Sequence, residues 1–249
     1  MRKDLYAQMY ELEEVYWWHV AKRRLVRDWL DRTEFQFGNK IYVDVGCGTG
    51  KMMEEMRDWK KWRLVTGLDS SDEALSFCAK RSRLKTIKAN LEKELPLADN
   101  WADVITCLDV VEHVRRDQFL LKECARVLKP GGILMVTVPA HQFMWTYWDD
   151  VLGHKRRYSL NQLVNKLERA GFGVERKSYF YSFLLPVALV FRVMKSSTKN
   201  WKNKSDFFRL PKMFNNLLLE LTRFERKLMQ KMEVPLGLSV VCLARKRQL

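Results

Sequence analysis

From position 41 the chain repeats one pattern, a short apolar run followed by a longer mixed segment with helical character. The runs are IYVDV (41–45), LVTGLD (64–69), a third ended by Asn90 and Leu91, ADVITCL (102–108), and GILMVTV (132–138) after a Pro-Gly-Gly turn. Apolar runs of this length, rich in Val and Ile, suit strands covered on both faces. Strand, loop and helix recur every 20–30 residues, which predicts a doubly wound α/β fold with a mostly parallel sheet. A sixth strand is expected near FGVERKSYFYS (172–182) and a seventh at GLSVVCLARKR (237–247).

Three segments fall outside that repeat. In the stretch 9–30, Val15, Trp18, Leu25 and Trp29 lie near one helical stripe, which predicts a helix packed on the domain. WDDVLGHKRRYS (148–159) crowds Asp149, Asp150, His154, Lys155, Arg156, Arg157 and Tyr158 into a charged loop. Ser159 then N-caps a new helix that stops at Gly171. About fifty residues separate strands six and seven. Within them Phe214, Leu217, Leu221, Phe224, Leu228 and Met232 form a helical stripe, suited either to packing on the domain or to lying in a membrane interface. The apolar run 183–191 is far too short to span a bilayer. The expected organisation is an N-terminal helical lid (1–38), a core (39–182) with a substrate loop at 140–160, a basic and apolar helical insertion (183–235), and the last core strand (236–249).

The 249 residues can bury a full α/β core, and charge adds an asymmetry. Residues 1–150 hold 24 Lys and Arg against 24 Asp and Glu, so the net +15 lies wholly in residues 151–249. Something anionic should face that part, and Lys199, Trp201, Lys202, Lys204, Phe207, Phe208 and Arg209 interleave bases with aromatics as a headgroup-level surface would. Five cysteines without a Cys-x-x-Cys pair argue against a disulfide frame or a zinc site, and no metal-ligand spacing is visible. Acids stand where a signal peptide needs an apolar core, so a cytoplasmic protein is expected, with the inner face of the membrane as its candidate attachment site.

The loop VGCGTGKM (45–52) carries the chemistry. A phosphate-cradling P-loop needs Ser or Thr after Gly-Lys, and here Met52 follows Lys51. The dinucleotide fingerprint Gly-x-Gly-x-x-Gly is one residue longer than Gly46-x-Gly48-x-Gly50, and Asp44 would oppose a pyrophosphate. A carboxylate there suits a cationic ligand such as S-adenosylmethionine (AdoMet), whose own carboxylate the loop N–H groups could take. Asp69, at the end of the second run, is placed to accept both hydroxyls of a ribose.

VDVGCGTG, GLDSSDEAL, ANLEKELPLADNWADVI, CLDVVEHV and VLKPGGILMVTVP together resemble the class I AdoMet-dependent methyltransferases, most closely the ubiquinone/menaquinone-biosynthesis-like group, across about 40–140. The resemblance implies a Rossmann-like seven-stranded sheet with an antiparallel last strand, and AdoMet as cofactor with S-adenosylhomocysteine as product. It places Gly46, Cys47 and Gly48 around the methionine end and Asp44 near its ammonium. Asp69 goes to the ribose with Ser70 beside it, Asn90 and Leu91 to the adenine, and Leu108 and Asp109 under the sulfonium. Asn90 departs from the usual Asp, which leaves an amide oxygen as the acceptor. Trp17-Trp18 resembles a WWF opening that lids the cofactor, with Trp18 as the indole.

Acceptor recognition is expected from the loop after strand five: Trp145, Tyr158, and Arg156 or Arg157 for a bidentate grip on an anion. His154 and His113 are the candidates for a general base. The acceptor is expected to be a small or lipid-linked molecule methylated on oxygen. A nucleic-acid or protein methyltransferase, or a non-catalytic AdoMet-binding regulator, are the alternatives. Nucleic acid is disfavoured because CLDVVEHV stands where amino-methylating enzymes carry Asn/Asp-Pro-Pro-aromatic.

Overall fold

A computed structural model describes residues 3–81, 84–196 and 210–248. Two helices, α1 (Lys3–Leu12) and α2 (Trp17–Leu30), precede the repeat. It then runs β1 (Lys40–Val45), α3 (Lys51–Trp59), β2 (Trp62–Asp69), α4 (Asp72–Lys80), β3 (Lys85–Lys88), β4 (Ala102–Leu108), α5 (Asp117–Val127) and β5 (Leu128–Pro139). Next come α6 (Tyr147–Leu152), α7 (Leu160–Arg169), β6 (Phe172–Phe180), α8 (Leu185–Ser196), α9 (Lys212–Met229) and β7 (Ser239–Lys246). The seven strands form one sheet in the order β3-β2-β1-β4-β5-β7-β6, with β7 antiparallel to both neighbours. This is the Rossmann-like architecture expected.

Alternate strand residues feed separate cores, as a period of two requires. Ile41, Val43 and Val45 join Leu120, Leu121 and Cys124 of α5 and Leu163 and Leu167 of α7 on one face. Tyr42, Val104, Met135 and Leu243 meet Leu25 and Trp29 of α2, Met53 and Met56 of α3, and Met229 of α9 on the other. All five cysteines are free and buried. Strand order reverses between β1 and β4, so the crevice beyond their C-terminal ends is where a ligand can enter.

Several local expectations change. The N-terminal helix breaks over 13–16, which leaves Val15 62% exposed and brings Trp17 into the core. Glu13 turns inward to accept hydrogen bonds from Thr49 and Arg81, and Asn215 of α9 receives the Trp17 amide, so tertiary polar bonds decide the break. The third strand ends at Lys88, before Asn90 and Leu91. Pro130-Gly131-Gly132 lies inside β5, where the pairing with β4 slips in register. The charged loop opens as helix α6 because Thr146 and Asp149 form a reciprocal capping box.

Of the two arrangements open to the apolar stripe on and just after α9, packing on the domain is not the one adopted. Phe214, Leu217, Leu221, Phe224, Leu228 and Met232 are all exposed, Phe224 by 70%. The face turned to the domain instead carries Thr222, Glu225, Arg226 and Met229. Glu225 accepts the amides of Tyr181 and Ser182, and Arg226 pairs with Asp28 of α2. Buried polar groups must be satisfied, and these fix the rotation of the helix over its apolar stripe. The bases and aromatics expected at a headgroup level (Lys199, Trp201, Lys202, Lys204, Phe207, Phe208 and Arg209) lie outside the described residues.

Candidate active site

The glycine loop turns sharply off β1. Gly46 and Gly48 have φ of +75° and +53°, and a Cβ on Gly46 would lie 2.3 Å from Val110 Cγ2. Only glycine allows that backbone there. The Gly46 and Cys47 amides donate to the Leu68 carbonyl, Gly48 to Asp69 Oδ2, and Gly50 to the Cys47 carbonyl. The loop is thus pre-shaped by its own bonds, and fewer of its N–H groups stand open to a ligand than the motif suggested.

Acids surround it. Asp44 is 3% exposed and accepts from Thr106 Oγ1 at 2.6 Å; burial pushes its carboxyl up to about 7. Asp69 accepts the Gly48 and Ser71 amides at 2.9 Å each, and burial raises it too. Asp109, in the left-handed region at φ +53°, accepts from Thr137 Oγ1 at 2.8 Å and pairs with Lys22. Arg81, against the loop, is held by Glu13, Glu14 and Glu54 and by the Thr49 carbonyl, and Lys51 by Glu14 and Glu54. Both bases are thus engaged by acids, whereas the buried carboxylates of Asp44 and Asp69 suit a sulfonium and an ammonium. The donor set therefore fits AdoMet. Leu91, Leu108 and Val110 supply the apolar wall, with Ser70 beside Asp69 and Asn90 accepting the Glu92 amide.

Helix α1 lies across this loop. A Cβ on Gly48 would sit 3.0 Å from Met9 Cε, Tyr6 shares a hydrogen bond with Ser71, and Tyr10 packs on Phe77 at 4.9 Å. Trp18, the expected lid indole, stacks on Tyr181 at 3.8 Å, whose hydroxyl donates back to the Trp18 carbonyl. Lys22 does more than the sequence indicated. It is 5% exposed, burial lowers its pKa to about 8, and its ion pair with Asp109 ties α2 to the end of β4.

Around the mouth, Asp149 is the organising residue. His154 Nδ1 lies 2.7 Å from Asp149 Oδ1, and Arg157 holds both Asp149 oxygens at 2.8 and 2.9 Å. Burial opposes its charge, but the bonds from His154 and Arg157 keep the carboxyl well below the usual range. Asp149 accepts a hydrogen bond from Nδ1–H, and in the neutral ring that bond directs the lone pair to Nε2, which lies 4.0 Å from Glu112 Oε1. Arg156 pairs with Asp117 at 2.7 Å, and the buried Tyr158 donates to the same carboxylate at 2.8 Å. Trp145 Nε1 reaches Asp150. Both arginines expected to grip an acceptor thus hold internal carboxylates.

His113 packs edge-on against His154 at 4.7 Å and hydrogen-bonds the Gly153 carbonyl; burial lowers it to about 3, so it is neutral. Glu112 is fully buried, neither oxygen has a partner, and burial raises it to about 8. Glu112, His113 and His154 each offer an atom within 4.8 Å of the others, a set able to hold a metal ion that spacing along the chain could not disclose.

A family model for a methyltransferase domain matches residues 43–136. A protein of Mycolicibacterium smegmatis named as an S-adenosylmethionine-dependent methyltransferase is 30% identical over 168 residues, 66% of this chain and 62% of that protein. The ubiquinone biosynthesis O-methyltransferase of Vibrio atlanticus is 34% identical over 108 residues, 41% of this chain and 44% of the relative. The chain thus spans less than two thirds of the length of these relatives. Among solved structures, a chain of the complex between the Haloferax volcanii Trm112 methyltransferase activator and a methyltransferase superposes with a TM-score of 0.67 at 17% identity, covering 99% of this chain and 96% of that one. At that identity the likeness is one of fold.

Proposed function

The chain carries a class I AdoMet-dependent methyltransferase domain, and on that premise we propose that it methylates a hydroxyl oxygen of a small or lipid-linked acceptor at an anionic membrane surface. The observation that carries the oxygen reading is the Asp149–His154 pair at the pocket mouth, with Nε2 left as a proton acceptor. Bound AdoMet supplies a methyl group already activated by its sulfonium. The chain's residues then have to hold the acceptor in line and remove its proton. His154 Nε2 takes that proton, and Asp149 keeps the ring oriented and stabilises the imidazolium. Arg157 fixes Asp149 rather than the acceptor. Lys22 and α2 close the opposite side and exclude water. The likeness to ubiquinone biosynthesis O-methyltransferases supports a hydroxylated ring or quinol as acceptor class.

The membrane part rests on α9. Five large apolar side chains, Phe214, Leu217, Leu221, Phe224 and Leu228, line one exposed face of it, in the part of the chain that holds the whole excess of positive charge. An apolar face flanked by bases is the pattern of an interfacial helix. No helix among the described residues is long and apolar enough to cross a membrane.

The test is transfer from labelled AdoMet to pools of hydroxylated quinols, sugars and carboxylic acids, with a pH profile for each active acceptor. Label in a hydroxyl acceptor, with a rate that falls in acid for wild type and is low throughout for His154→Ala, is the expected result. Label only in carboxylates, with a flat profile, would remove the need for a base and overturn the assignment.

A further inference from the structure

Helices α2 and α9 form a second constellation beside Trp59 at the end of α3. Arg24 and Arg27 are three residues apart on α2, and Arg223 and Arg226 three apart on α9, so each pair shares one helix face. All four line a groove of about 390 Å³ beside Trp59. Acids also line it, but each is engaged: Asp28 with Arg226, Asp31 with Lys60, and Glu220 with Arg223. Arg27 pairs with Glu55 at 3.5 Å, and Arg24 is exposed. Arg226 is 8% exposed, and its Nε–H is buried without an acceptor. Burial and the charges of Arg24 and Arg27 also lower its pKa, despite Asp28.

A buried guanidinium N–H without a partner, among further guanidiniums, is relieved by an anion with several acceptor oxygens. Size and location narrow the anion. Phe224, Leu221 and Leu228 follow on the exposed face of the same helix, so a ligand seated here has an apolar surface next to it. We propose that this groove binds the phosphate of an anionic phospholipid, and that α9 lies in the acyl boundary beside it. The proposal deepens the membrane reading above and rests on it for the source of the phosphate.

The experiment uses the whole chain with dihexanoyl-phosphatidylglycerol as a soluble probe, inorganic phosphate as competitor, and phosphatidylglycerol vesicles in parallel. Wild type should bind the short-chain lipid saturably, with phosphate competing. Joint replacement of the exposed Arg24→Glu and Arg223→Glu should weaken binding by at least about tenfold, while Lys93→Glu with Lys122→Glu, an equal charge change elsewhere, should not. Thermal melting checks that the variants are folded. Equal affinity of the groove variant and wild type, or equal losses in groove and control variants, would overturn the groove. Binding of inorganic phosphate without the short-chain lipid would overturn the lipid source. Phe224→Ser separates the two readings, because it should abolish vesicle sedimentation and leave short-chain lipid binding intact. Short-chain binding by a wild type that does not sediment with vesicles would sink the membrane reading and keep the groove.

Discussion

The glycine loop and helix α9 satisfy their polar groups to opposite ends. Around the loop, amides and acids bond to one another, and what is left over is negative charge in a buried place. Along α9, Glu225 and Arg226 are spent inward on Tyr181, Ser182 and Asp28, and what is left over is apolar surface and positive charge facing out. The first region suits a cation. The second is the face proposed to meet a membrane surface. The chain thus couples a fixed cofactor cradle to an addition shaped for something outside it.

The largest effect is expected at the Asp149–His154 pair, which belongs to neither region. His154→Ala should lower kcat by about 10²–10⁴-fold with AdoMet affinity unchanged, measured by turnover and calorimetry. A rate near wild type would return His154 to a structural role. Gly46→Ala tests the rigidity of the loop. The left-handed backbone and the clash with Val110 should together cost about 3 kcal/mol, read as a fall in denaturation midpoint. Unchanged stability would mean that the loop can relax, and that its bonds do not pre-shape it.

Asp69→Ala should weaken AdoMet by about 1.5–3 kcal/mol, since it removes a charged acceptor from the pocket. Calorimetry with equal affinities would take Asp69 off the ribose. On the other side, Leu221→Ser with Phe224→Ser should abolish sedimentation with phosphatidylglycerol vesicles and leave AdoMet binding alone. A parallel loss of AdoMet affinity would show that the two regions are not separable.

The smallest effect is a pH dependence. Asp44 is raised to about 7 by burial, so in the cofactor-free protein it is protonated below that value and ionised above it. Only the ionised form attracts a cation. AdoMet affinity should rise with pH up to about 7 and then level off, by at most about tenfold per unit. For the same reason the folded, cofactor-free chain takes up protons that the unfolded chain does not. Asp44's contribution to stability is present below the unfolded value of about 3.9 and lost as pH rises through about 7. Melting at pH 5 and pH 8, with and without AdoMet, checks both signs.

Much of the cofactor half was legible because its signals are local. The apolar run IYVDV, the left-handed demand of Gly46 and Gly48 and the cap at Ser159 each act over a few residues. The departures come where a distant group competes. Glu13 leaves the helical run because Thr49 and Arg81 wait for it, and Arg157 turns from a ligand to Asp149 because the α6 cap has already aimed that carboxylate. Glu112, His113 and His154 converge only after the sheet has brought β4 and β5 side by side.

By itself the sequence determined the strand repeat, the glycine turn, the acids at the strand ends, and the division into a neutral and a basic part, because backbone conformation and burial periodicity are set by neighbours along the chain. The tertiary structure alone decided which acid holds which base, that α9 turns its apolar stripe outward, and that Lys22 reaches Asp109. Each of those outcomes depends on which buried polar group finds a partner, and such partners can be distant: Lys22 and Asp109 are 87 residues apart, Arg226 and Asp28 198.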